Sequence, residues 1–276
     1  MTFRIAQISD THLSDAKPFF VANFECVARA ADALEPDLVI NTGDLALDGT
    51  GHEGDLEAAA RRHRIFARPV RFIPGNHDLG DSPEVPNAHG HTIDAVRRDA
   101  YLRHFGADWW RIDVPGWRLI GLNAQLCGSG LEADNDQLAF VHEATRGAEA
   151  KQIALFIHKP LFDLSDDEEV LGGRFLPPVS RRRLWQAFGE RRPALVASGH
   201  VHQYRATRSE GMNFVWAPSA AYFIPDSRQP RYGLKQVGFA SHDLAEDGSH
   251  TSRFVSAAGT KDLSIADFPQ AYGPMD

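Results

Sequence analysis

Short apolar runs alternate along the chain with longer stretches of helical periodicity. The runs lie at residues 3–9, 38–42, 70–74, 117–123, 153–157 and 195–198. Between the first two, Phe20, Phe24, Val27, Ala31 and Leu34 recur at the spacing of one helix face. Further helical stretches are predicted at 52–66, 92–104, 134–148 and 179–190. Strands that alternate with helices predict a layered α/β domain. Residues 108–114 and 117–123 flank Pro115-Gly116 and read as a hairpin. From about residue 203 the pattern turns to strands at 203–208, 213–217, 233–240 and 250–256, with turn chemistry at Glu210-Gly211 and Asp247-Gly248. This half is expected to be antiparallel. The stretch from Gly259 is polar and is expected to form a loosely packed arm or an oligomer contact.

Composition narrows the class. A chain of 276 residues, 43% hydrophobic and 24% charged, is ordinary for one or two globular domains. That excludes a disordered acidic tail, a collagen and a coiled coil. Cys26 and Cys127 are too few for a disulfide framework or a thiolate metal site. A reducing, cytoplasmic setting is the simpler expectation. No run approaches the ~18 apolar residues of a membrane span, and no signal peptide is read at the start. The net charge of −8 argues against nucleic acid as a non-specific partner. The unusual count is 13 histidines, which directs attention to where they fall.

They fall at strand ends. The run 3–9 is followed by Asp10-Thr11-His12, 38–42 by Gly43-Asp44, and 70–74 by Gly75-Asn76-His77-Asp78. The run 153–157 is followed by His158, and 195–198 by Gly199-His200-Val201-His202. In open α/β sheets, ligands bind beyond the carboxyl ends of the strands, so these side chains can converge. Asp10 and His12, like His200 and His202, are two apart, which in extended chain projects both to one side. Carboxylate, amide and imidazole donors without thiolate suit manganese, iron or zinc. Seven donors exceed what one such ion takes, so two ions are expected. Glycines 43, 75 and 199 allow close backbone approach. Singly, each motif is everyday turn chemistry; together and in order they form a ligand set.

The set Asp-x-His, Gly-Asp, Gly-Asn-His-Asp, His and Gly-His-x-His resembles the calcineurin-like metallophosphoesterases, nearest to the class III cyclic-nucleotide phosphodiesterase and glycerophosphodiesterase group. The motifs span residues 10 to 202. The resemblance implies a four-layer α/β/β/α sandwich with two mixed β-sheets. It covers the catalytic core and not the tail; with the chain pattern, a catalytic domain is expected over 1–258 and a tail over 259–276. It also implies two divalent or trivalent metal ions (Mn2+, Fe2+/Fe3+ or Zn2+). One ion would take Asp10, His12, Asp44 and His202, the other Asp44, Asn76, His158 and His200, with Asp44 bridging. His77 would be the catalytic histidine that is not a ligand. A hydroxide shared by the ions would attack phosphorus while His77 stabilises the charged transition state or protonates the leaving oxygen.

Two departures bear on the reading. Relatives often carry an acid three positions after the bridging Asp, where this chain has Leu47 and then Asp48, so either Asp48 or Asp78 could orient His77. Relatives often read His-His-Pro where this chain has His158-Lys159-Pro160. Lys159 is read either as a phosphate contact or as a structural side chain pointing away from the metals. The motif of the phosphoprotein phosphatases carries an arginine that Gly43-Asp44-Leu45-Ala46-Leu47-Asp48-Gly49 lacks, which argues against that class. His89 and His91 read as a solvated loop or as a lid contacting substrate, and His91 is retained as a candidate substrate contact. The acidic run 166–169 reads as a solvated loop. Trp109, Trp110 and Trp117 read as core. His52, His63, His104, His142, His242 and His250 lack motif context and read as surface or core-edge residues. The expected partner is a small-molecule phosphodiester, of cyclic-nucleotide or glycerophosphodiester type, with no membrane partner and with a homo-oligomer left open. A phosphomonoesterase, a nuclease and a binding scaffold of the same fold are the alternatives. A scaffold would be expected to have lost ligands, and none is missing.

Overall fold

The alternating runs resolve into two sheets stacked face to face in a computed structural model that describes residues 1–85, 91–148, 151–169 and 172–272. In chain order the first elements are β1 (Thr2–Ile8), α1 (Val21–Ala33), β2 (Leu38–Asn41), α2 (Glu53–Arg62), β3 (Val70–Phe72), α3 (Asn76–Leu79) and α4 (Ala95–Phe105). There follow β4 (Trp110–Val114), β5 (Trp117–Leu122), α5 (Glu132–Thr145), β6 (Gln152–Ile157), α6 (Pro178–Phe188) and β7 (Leu195–Ser198). The last are β8 (Arg205–Ser209), β9 (Met212–Trp216), β10 (Phe239–Ala245), β11 (His250–Val255) and α7 (Pro269–Tyr272). One sheet has the order β11-β10-β1-β2-β3 and the other β4-β5-β6-β7-β9-β8. Each is mixed: β1, β2 and β3 run parallel, as do β5, β6, β7 and β9, and the remaining pairings are antiparallel.

The period of two along β6 explains the layering. Ile153, Leu155 and Ile157 pack with Val141 of α5 and with Leu184 and Phe188 of α6. Ala154 and Phe156 face the other way, toward Ile5, Ile40 and Leu244 of the opposite sheet. The first sheet turns Ile8 and Val39 outward onto Phe24 and Val27 of α1, Leu56 of α2 and Tyr101 of α4. Strands covered on both faces read as unbroken apolar runs, which is why the sequence shows them so clearly. The result is the expected four-layer sandwich. Trp110 and Trp117 are core, with indole N–H groups donating to the carbonyls of Phe72 and Ala245.

Three expectations change. The strand read at 233–240 is instead β10, Phe239–Ala245. Its polar positions hide it: Ser241 and His242 are buried, and the His242 ring bonds Gln7 and Ser252. The final segment is not loose over its described residues, 259–272. Phe223 and Leu263, and Ile265 and Phe223, exchange backbone hydrogen bonds at 2.8 and 3.1 Å. His63 and His242 lie in the core rather than at its edge, because each ring finds two hydrogen-bond partners there.

Candidate metal centre

The parallel strands of both sheets end on one side, and every predicted donor follows one of those ends. The loops after β1 and β2 run together: the amide of Asp10 donates to Gly43 O at 2.9 Å and that of His12 to Asp44 O at 3.0 Å. The loop after β7 joins them, as the His200 amide donates to Asp10 Oδ2 at 3.0 Å. These contacts demand close backbone approach. A Cβ at Gly75 would collide with the amide and carboxylate of Asp44, and one at Gly199 with the Ser9 hydroxyl.

The donor atoms form two overlapping groups around Asp44. On one side His12 Nε2 lies 3.3 Å from His202 Nε2, which lies 3.3 Å from Asp10 Oδ1. On the other, His158 Nε2 lies 3.2 Å from His200 Nδ1. Asp44 Oδ2 serves both, at 3.9 Å from His12 Nε2 and 3.4 Å from His158 Nε2. Its other oxygen accepts the His77 amide at 2.9 Å. Asp10 Oδ1 and Asn76 Oδ1 are buried without a hydrogen-bond partner. A buried oxygen in that condition is costly unless a cation completes it. The donor set therefore fits two transition-metal ions, on the chemistry of its atoms and on those two oxygens.

Electrostatics favour the neutral ring at His12 and His200. Burial, with the neighbouring His77 next, holds the His12 imidazole well below its ordinary value. Burial, then Lys159 and His158, does the same to His200. Both are thereby kept neutral, the form that binds metal. Burial alone would push the Asp44 carboxyl up, but His158, His77 and His12 outweigh it and hold it well below the usual range. His158 is the converse: burial lowers it, and Asp44 and Asp10 carry it up to about 9.

Six of the seven predicted ligands, Asp10, His12, Asp44, His158, His200 and His202, are brought together, and His77 comes with them, within 4.8 Å of His12 and Asp44 donor atoms; the seventh, Asn76, opens α3 with its Oδ1 buried and unpartnered. Two other assignments are corrected. Neither Asp48 nor Asp78 orients His77: its Nδ1 donates to the Leu47 carbonyl at 3.1 Å. Asp78 is turned inward to accept the amides of Leu45, Ala46 and Gly75, and Asp48 accepts from Thr50 and Gly51. Lys159 does not reach the site as a phosphate contact. Its side chain is 1% exposed, and Nζ is held by both Asp81 oxygens at 2.7 and 2.8 Å and by Gly173 O at 3.0 Å. The residue after a ligand in extended chain points to the opposite side. His91 is exposed, and among the described residues it contributes its carbonyl, which accepts from the Asp81 amide at 2.8 Å. His89 and Gly90 lie outside the described residues.

Two residues that the sequence reading passed over also border the centre. Tyr222 Oη lies 3.3 Å from His12 Nε2, and Tyr272 Oη lies 2.7 Å from His12 Nδ1. Neither stands in a motif, so nothing in the sequence marked them.

A family model for calcineurin-like phosphoesterases matches residues 3–204. A probable glycerophosphodiester phosphodiesterase, GpdQ, from Arcobacter nitrofigilis is 24% identical over 263 residues, covering 86% of this chain and 91% of that protein. Human CPPED1, named a serine/threonine-protein phosphatase, is 26% identical over 214 residues, 74% of this chain and 64% of its own length. Among solved structures, the purple acid phosphatase PPD1 of yellow lupin seeds superposes with a TM-score of 0.68 at 16% identity, over 95% of this chain and 53% of that one. A dimetal phosphatase from Danio rerio gives 0.59 at 11% identity, over 92% and 99%. The family match runs through all five donor-bearing strand ends, and the chain belongs to the calcineurin-like phosphoesterases.

Proposed function

We propose that the protein hydrolyses a small phosphodiester at a two-metal centre. One ion would be held by Asp10, His12, Asp44 and His202, the other by Asp44, Asn76, His158 and His200. The observation that carries this is the single carboxylate of Asp44 serving both donor groups. When bound, the two ions supply Lewis-acid stabilisation of the phosphoryl oxygens and an activated nucleophile. The chain does the rest. Asn76, His77 and His200 are the half-buried members of the set, so an ester enters over them. Because Nδ1 of His77 is committed to Leu47 O, its Nε2 is the atom that gives a proton to the leaving oxygen.

A diester is favoured by the likeness to the glycerophosphodiesterase, which runs nearly the length of both chains. A cytoplasmic setting is supported by two unpaired thiols, Cys127 with its pKa pushed up to about 12 by burial. Among the described residues no helix is long and apolar enough to cross a membrane. The second reading, a phosphatase acting on monoesters or phosphoproteins, draws on the likeness to CPPED1.

Metal analysis of purified protein followed by turnover of bis-p-nitrophenyl phosphate against p-nitrophenyl phosphate tests the first reading. Two ions per chain and faster diester turnover are expected. Metal-replete protein that cleaves only the monoester gives the case to the second reading. His77→Ala is expected to lose about 10²–10⁴ in rate and keep both ions; loss of the ions would remove His77 from the proton-donor role. Asp44→Ala is expected to lose two-ion binding.

A further inference from the structure

The rings around Asp44 are not all held in the same way. Nδ1 of His158 bonds the Thr42 carbonyl at 2.7 Å, and Nδ1 of His202 bonds the Tyr222 carbonyl at 2.9 Å. Both partners are backbone. Nδ1 of His12 lies instead 2.7 Å from the phenol oxygen of Tyr272, 260 positions along the chain. Tyr222 Oη donates to that same oxygen at 3.0 Å. The Tyr272 oxygen thus accepts one phenol proton and stands within hydrogen-bond distance of a ring nitrogen, whose proton it would accept in the Nδ1–H tautomer of His12. An imidazole nitrogen coordinates a metal only without its proton, so a proton fixed on Nδ1 leaves Nε2 free to bind. Nε2 is the His12 atom that faces His202 and Asp44.

The segment carrying Tyr272 is tied down at several points. Asn23 Nδ2 donates to Lys261 O at 2.8 Å, and the Lys261 amide donates back to Asn23 Oδ1 at 2.9 Å. Asp262 accepts the Val237 amide at 2.9 Å, and Lys17 Nζ donates to Ala271 O at 2.9 Å. Ile265 and Ala271 join Phe20, Leu47, Ala221 and Tyr222 in an apolar cluster. The Tyr272 ring lies 4.9 Å from the His77 ring and 6.0 Å from that of His12.

We propose that Tyr272 is a positioning residue for the ion held through His12: its phenol oxygen accepts the Nδ1 proton and sets Nε2 as the donor. The inference rests on the two-metal reading. Docking of the arm and occupancy of that ion are then coupled, since the arm supplies the partner of a ligand.

Tyr272→Phe keeps the ring and removes the oxygen. Cobalt(II) is the probe: calorimetric titration counts and ranks the ions, and hyperfine-shifted proton NMR reports the ring N–H of each ligated histidine. The expected result is two ions in both proteins, with one weakened about 10- to 100-fold in the variant. The His12 N–H signal is expected to be lost to solvent exchange in the variant, while those of His158 and His202, bonded to backbone, persist. Unchanged affinities with an unchanged His12 signal overturn the inference and leave the two-metal reading standing. Wild-type protein that takes up no pair of cobalt ions overturns that reading, and the inference with it.

Discussion

The donor residues are held in backbone conformations that side chains other than glycine rarely adopt. Asp10, His12, Asp44, His200 and His202 have φ of 54°, 44°, 53°, 68° and 54°. An L-residue in this left-handed region costs roughly 1–2 kcal/mol, less for Asp. Such strain persists where the surroundings over-determine it, and here each residue turns the chain sharply to aim a donor. This separates two substitutions that abolish ligation equally. In metal-free protein, His12→Gly and His200→Gly are expected to be more stable than His12→Ala and His200→Ala by about 1 kcal/mol each, read from urea unfolding. Alanine variants as stable as the glycine variants would show that the loops are not strained. The candidate ligands were legible in the sequence because their types and order repeat a pattern at strand ends. Tyr272 was not, since one tyrosine in a polar segment carries no periodicity or spacing. The partner of His77 was missed for a related reason: it is a backbone carbonyl, and a sequence shows only side chains.

Among the elements, the end of β6 is clamped to the segment after α3 by Lys159 and Asp81. The lysine is buried and the acid is 16% exposed. Burial holds the Lys159 ammonium below its usual value, against the pull of Asp81. Removing one partner of such a pair leaves a buried charge, at a cost of about 3–5 kcal/mol. Asp81→Ala is therefore expected to lower stability toward the lower end of that range, because some solvent reaches the site. Its KM should change little beside Asn76→Ala, since Lys159 Nζ is held by Asp81 and the Gly173 carbonyl; a selective loss of substrate affinity in Asp81→Ala would restore Lys159 as a phosphate contact. The helices and inner strands were legible from period and apolar runs. β10 was displaced by several residues in that reading because its buried face carries Ser241 and His242, whose burial depends on partners in β1 and β11 that local pattern cannot supply.

At the scale of the whole molecule, two further histidines set an acid limit. Burial holds His63 down to about 4 and His242 down to about 3. Unfolding returns both to the ordinary 6.5, so the unfolded chain takes up protons first as pH falls. Their contribution is full above pH 6.5 and declines from there toward 4, by about 1.4 kcal/mol per unit for each. In metal-free protein His12 and His200 act in the same sense, and His158, carried up to about 9, and Asp78, pushed by burial up to about 7, act in the opposite one. Urea midpoints of chelated protein should fall between pH 7.5 and 5, and a level profile would contradict the burial of these rings. Metal removal should act separately: an ion at 100 times its Kd stabilises by about 2.7 kcal/mol, so EDTA is expected to lower Tm by several degrees and Mn2+ to restore it. The donors are spread from Asp10 to His202, with strands of both sheets between them. A nascent chain on the ribosome therefore cannot close either half of the candidate centre until His200 and His202 have cleared the exit tunnel, so no translation product that stops before them carries a full donor group.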